Sequence, residues 1–194
     1  MKNNSIKIII ITIMISRFTT SIPHIFFIDK PSDLTMQEKT WCDYKSRNLI
    51  KGLVVTTTTG YIESLELFPG RDSDLDILQK SKFLKELEGR QNSNEILLFA
   101  DKGFAGFESS NPKIRVIAPM SNKRGSQDFT EEIVKANQAL ARGRVTVEQF
   151  FGRIKKWGLI KDSSSISNNE LKYFEKHIRV ICYLANKFGK PFQI

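Results

Sequence analysis

Apolar positions along this chain change period: strand-like runs dominate up to Pro119, interrupted by one helical stretch, and helical spacing prevails from Thr130 onward. "NLIKGLVVTTTTGYIESLEL", residues 48–67, is two β-rich runs joined across Thr59 and Gly60, which predicts an antiparallel hairpin. "GRDSDLDILQKSKFLKELEG", residues 70–89, predicts one helix capped by Ser73 or Asp74, with Leu75, Leu78 and Phe83 on its apolar side and Gly89 as its stop. "EILLFAD", residues 95–101, is a continuous apolar run ending on a charge, the pattern of a central strand covered on both faces. "KIRVIAP" predicts a shorter strand ending at Pro119, and "SNKRGSQDF" a basic polar loop. "KDSSSISNNE" separates the last two helical segments, and "LKYFEKHIRVICYLANKF" predicts a closing helix in which His177 and Cys182 are packing residues. Strands followed by helices around a mixed sheet give an α/β (α+β) layer architecture.

The N-terminus breaks this regularity. "MKNNSIKIIIITIMISRFTTS" has a basic start and an apolar run from Ile8 to Ile15, the length of a signal-peptide core and too short for the ~20 residues of a membrane span. Arg17 follows the run and no A-x-A-like cleavage site is present, so a secretory signal is the competing reading. A buried strand, or a misjudged gene start, is the preferred one.

Composition narrows the function classes. The 194 residues with 14 Phe and 40% hydrophobic content suffice for one domain with a sizeable core. Thirty Lys and Arg against 21 Asp and Glu leave a net charge of +9, which points to a polyanion and first to nucleic acid; an ordinary basic surface is the bland alternative. Cys42 and Cys182 lie far apart and only His24 and His177 could join them, so neither a disulfide framework nor a zinc site is expected.

Two carboxylates stand out. Asp101 sits where a buried strand meets a Gly-containing turn, the place where open α/β sheets present ligand-binding groups; it could equally cap that turn. Glu148 lies in "RVTVEQFFGRIKKW", beside a stripe of Val147, Phe150, Phe151, Ile154 and Trp157 and among Arg144, Arg153, Lys155 and Lys156. It reads either as an ion pair with Arg144 one turn away or as a group beside the gap left by Gly152, where a phosphate could approach. The cations read as a solvated face or as holders of a phosphodiester backbone. Two such acids from separate elements suit hard divalent cations, although two-metal phosphoryl chemistry generally needs a third.

Over about residues 28–192 the chain resembles the DDE superfamily endonucleases of the Harbinger-like transposase group. The resemblance rests on an ordered series: "IDKPSDLTMQEKTWCDYKSRNLIKGLVV", "GYIESLELFPGRDSDLDIL", "LLFADKGF", "IAPMSNKRGSQDFTEEI" and "ARGRVTVEQFFGRIKKWGLI". It implies a ribonuclease-H-like fold, a mixed five-stranded sheet flanked by helices. It also implies that Asp101 and Glu148 are the second and third acids of a metal-binding catalytic triad using Mg²⁺ or Mn²⁺. Arg144, Arg153, Lys155 and Lys156 would then be DNA-backbone contacts. DNA is the implied partner, a separate DNA-binding protein a further one, and the nucleus the implied location; no membrane association is expected.

The first acid is where the pattern fails. It belongs nine positions before Pro31, in "TTSIPHIFFIDKP", where this chain has Ile22, and isoleucine cannot ligand a metal. Asp29 is some seven residues further on, roughly 23 Å along an extended chain and too far to substitute. Residues 1–27 are therefore expected to be an atypical segment, a degenerate first strand or a misjudged gene start, ahead of an endonuclease-like domain over 28–194. The expected activity is metal-dependent phosphodiester cleavage or strand transfer on DNA, impaired by the missing acid. The alternative is a domesticated or relic transposase domain that binds DNA without turnover, and a small secreted basic protein is the weaker third reading.

Overall fold

The computed structural model describes residues 25–57, 60–89, 96–119 and 165–189, the backbone of 9–14, and Gln138 and Gln149 as isolated positions. Seven strands are found among them: β1 (Ile9–Met14), β2 (Ile25–Phe27), β3 (Trp41–Cys42), β4 (Arg47–Thr57), β5 (Ile62–Pro69), β6 (Ile96–Ala100) and β7 (Ile114–Ile117). The helices are α1 (Leu34–Thr40), α2 (Asp74–Lys80), α3 (Lys82–Gly89) and α4 (Asn168–Phe188).

The expected hairpin is present. β4 and β5 pair antiparallel from Ile50↔Pro69 to Thr56↔Ile62, with Gly60 supplying the left-handed φ of +83° that the turn requires. The other edge of β4 is shared: Leu49–Lys51 pairs with β2, and Val54–Thr57 pairs antiparallel with β1. β1 then pairs parallel with β6, and β6 parallel with β7. The long strands therefore run β5-β4-β1-β6-β7, three antiparallel and then parallel, with β2 and β3 as short additions along β4. This mixed sheet with helices on its faces is a ribonuclease-H-like α/β arrangement.

Alternation along the strands divides the core in two. Leu53 and Val55 of β4, Ile96, Leu98 and Ala100 of β6, and Ile114 of β7 face α2 and α3, meeting Ile77, Leu78, Phe83, Leu84 and Leu87. Val54, Ile62, Leu65 and Phe26 face α4, meeting Phe174, Ile178, Ile181 and Cys182, with the Phe26 and Phe174 rings edge to face at 4.9 Å. β6 is central as expected, but its second face is only half covered: Leu97 and Phe99 are half-buried.

The helix expected over residues 70–89 is two helices. Ser81 is fully buried and serves both: its backbone N–H and hydroxyl go to the Leu78 carbonyl, while the same hydroxyl oxygen accepts the Leu84 N–H at 3.1 Å. The Glu66 carboxylate, reaching across from β5, accepts the Lys82 and Phe83 N–H groups and so starts α3. The break rotates α2 so that Leu75 is exposed and Ile77 is buried in its place. Capping boxes begin α2 (Ser73 with Asp76) and α4 (Ser167 with Glu170), and the serine hydroxyls hold both carboxyls below their ordinary range. In α4, Cys182 is buried as expected, whereas His177 lies on the exposed face, its ring 6.4 Å from that of Tyr173.

Candidate functional site

β6 delivers Asp101 to the carboxyl end of two parallel strands. The strand stops because the Asp101 carbonyl accepts the Phe104 N–H at 3.0 Å, opening a single 3₁₀ turn over Lys102–Phe104. Phe104 is fully buried among Ile77, Leu78 and Leu98, which pins that turn to the α2 side of the sheet. Asp101 itself is half-buried, open enough to meet a ligand. Ligand-binding groups in open α/β sheets lie at this end of parallel strands.

The neighbouring strand places no acid beside it. Ile13 of β1 is in register with Ala100, so the next position, abreast of Asp101, is Met14. Asp29 lies far off: β1 and β2 both register on β4, Met14 against Val54 and Phe27 against Leu49, which puts Asp29 roughly 20 Å further along the sheet. Ile22, where the sequence count puts the missing acid, lies outside the described residues. So do Glu148, Arg144, Arg153, Lys155 and Lys156; adjacent to Glu148, Gln149 is helical and exposed.

Sequence reasoning missed the support behind the turn, leaving Lys51 unremarked and offering Asp74 only as a possible helix cap. Lys51, on the buried face of β4, and Asp74, the first residue of α2, are 8% and 1% exposed, and their charged atoms lie 3.8 Å apart. The Lys51 ammonium also donates to the Asp72 carbonyl at 2.6 Å. Asp74 in turn lies against Gly103, where a Cβ would be 3.1 Å from the Asp74 Cγ and would overlap its Oδ2 outright. The signals were present but local: a lysine interrupting the apolar run "NLIKGLVV", and an acid directly after a serine cap.

Asp101 offers one hard oxygen donor of the kind Mg²⁺ and Mn²⁺ take. Among the described residues, no group of three or more His, Cys, Asp or Glu side chains stands together as a metal site. Nor, among them, is any helix long and apolar enough to cross a membrane. Set against families of known proteins, residues 24–186 match the model of the DDE superfamily endonuclease. No curated protein and no solved structure matches the chain.

Proposed function

This chain belongs to the DDE superfamily endonuclease family, and on that premise we propose that it is a Harbinger-like, transposase-derived domain that holds DNA while its phosphodiester chemistry is impaired. The family supports a transposase-like nuclease domain acting on DNA, and its members generally use divalent metals. The observation that carries the reading is Asp101, set by a pinned turn at the carboxyl end of paired parallel strands.

Asp101 and Glu148 would hold Mg²⁺ or Mn²⁺, which when bound supplies Lewis-acid activation for in-line attack on a phosphodiester by water or a 3′-hydroxyl. The turn supplies a fixed carboxylate, so no reorganisation is needed when the ligand arrives. Arg144, Arg153, Lys155 and Lys156 would hold the DNA backbone by charge and leave the bases unread. Met14 abreast of Asp101, like Ile22 in the sequence pattern, supplies no carboxylate to complete the triad with Asp101 and Glu148, and this favours the non-catalytic reading: a domesticated or relic domain that binds DNA without turnover. A nuclear location and a separate DNA-binding partner protein go with either reading.

Calorimetric titration with Mn²⁺ tests the metal centre: the wild type binds weakly, and Asp101→Asn and Glu148→Gln bind more weakly still. Three superimposable isotherms would remove the claim. DNA affinity falls steeply between ~50 and ~200 mM salt if phosphate contacts dominate; a flat dependence refutes DNA holding by charge. Ile22→Asp and Met14→Asp separate the two readings. Mn²⁺-dependent nicking gained by either shows an otherwise intact nuclease, and silence from both leaves the binding role.

A further inference from the structure

We infer that the buried Lys51–Asp74 pair is a positioning device for Asp101, in which the Asp74 side chain fills the space over Gly103 and so fixes the turn that carries the site's carboxylate. The inference rests on the reading of Asp101 as that carboxylate.

Helix capping does not account for Asp74. The Ser73 hydroxyl accepts the Asp76 N–H, and the Asp76 carboxylate accepts the Ser73 N–H, so the capping box of α2 is closed by Ser73 and Asp76. Stability alone does not account for it either, because an apolar pair of similar volume generally serves a buried position as well as an ion pair does. What Asp74 does touch is the backbone two residues beyond Asp101, at a glycine whose missing side chain is needed for space. Gly103 is not among the positive-φ glycines, Gly60 and Gly106, so backbone conformation does not demand it. Lys51 completes the arrangement: it ties Asp74 to the middle of β4 and the Asp72 carbonyl to the same point, so the α2 start, the sheet and the Asp101 turn share one anchor.

Three variants test this in the full chain: Asp74→Ala, which empties the space, Gly103→Ala, which overfills it, and Asp74→Asn, which keeps its volume. Amide chemical shifts of residues 101–104 are read against those of α4, together with the Mn²⁺ dissociation constant and the melting temperature. Asp74→Ala is expected to move the 101–104 amides selectively, and both Asp74→Ala and Gly103→Ala are expected to weaken Mn²⁺ binding about 10–100-fold. Asp74→Asn is expected to melt lower yet keep both readouts near wild type. If Asp74→Ala does not fold, Gly103→Ala and Asp74→Asn give the same contrast. Wild-type Mn²⁺ affinity in Gly103→Ala, or an Asp74→Ala variant that loses only thermal stability, would overturn the inference. A wild type that binds no Mn²⁺ removes the metal reading of Asp101; the selective amide shifts then support the positioning role alone.

Discussion

The two faces of the sheet are filled by different rules. Toward α4, the described residues bury Phe26, Val54, Ile62, Leu65, Phe174, Ile178, Ile181 and Cys182, and no charged side chain. Toward α2 and α3 the apolar cluster is as extensive, yet it is interrupted by the buried charges of Lys51 and Asp74. The face that carries the Asp101 turn therefore retains a costly polar arrangement, while the other does what packing alone asks. A closing helix needs only area and shape. A helix that abuts the turn carrying Asp101 makes a directional contact as well.

The contrast can be broken most severely at its two anchors. Lys51→Met, by stripping the ammonium from a buried carboxylate, lowers unfolding free energy by about 3–5 kcal/mol in denaturant titration. Phe174→Ala on the opposite face costs a similar ~3–5 kcal/mol through the cavity it leaves. Their remedies differ: Lys51→Met combined with Asp74→Asn recovers most of the loss, because the buried charge is gone, whereas no charge change on the sheet rescues Phe174→Ala. Failure of that double variant to recover would equate the two faces.

A smaller effect compares the helix starts. Ser73→Ala and Ser167→Ala each lose a capping box and are each expected to cost ~1 kcal/mol. The amide shifts of residues 101–104 follow the first substitution and ignore the second, since α2 and not α4 abuts the turn.

Acid exposes the next difference. The Ser109 hydroxyl, with Ser110, holds the Glu88 carboxyl below its ordinary range, so the unfolded chain takes up that proton before the folded one does. Its contribution is full above the ordinary carboxylate range and disappears as pH falls through the lowered value. Melting curves of Glu88→Gln should accordingly show a shallower loss between neutral pH and pH ~3 than the wild type. Smallest in energy is the thiol contrast. Burial pushes Cys182 up to about 12, so alkylation of the folded protein at mildly alkaline pH labels half-buried Cys42 and spares Cys182 until the α4 face opens.

What the sequence disclosed follows the range of the forces involved. The β4–β5 hairpin, the central strand β6, the short β7 and the closing helix α4 were legible because each is written in local periodicity and turn chemistry. The split at Ser81 was not, since one buried hydroxyl serves two helices and the apolar spacing continues across it. Leu75 and His177 came out exposed for the same reason: spacing gives an apolar stripe, but packing partners decide which edge of it is covered. At the candidate site, Asp101 was visible from a strand ending on a charge before a turn. The support given by Lys51 and Asp74 was hidden, because it joins residues of different elements whose approach only the folded sheet creates. The register that puts Met14 beside Asp101 was equally hidden, because it depends on where β1 docks between two strands far along the chain.

That docking sets an order of events during synthesis. β1 precedes its parallel partner, residues 96–100, so the stretch "IIITIM" leaves the ribosome about 87 residues ahead of the strand it must lie beside. At roughly 5–20 residues per second, an apolar segment with no partner waits on the order of 5–20 seconds. The hairpin of β4 and β5 can close meanwhile, offering one edge, but the slot itself exists only once β6 has emerged. This interior strand is thus translated well before its slot exists, and until β6 emerges the apolar residues 9–14 lack their parallel partner.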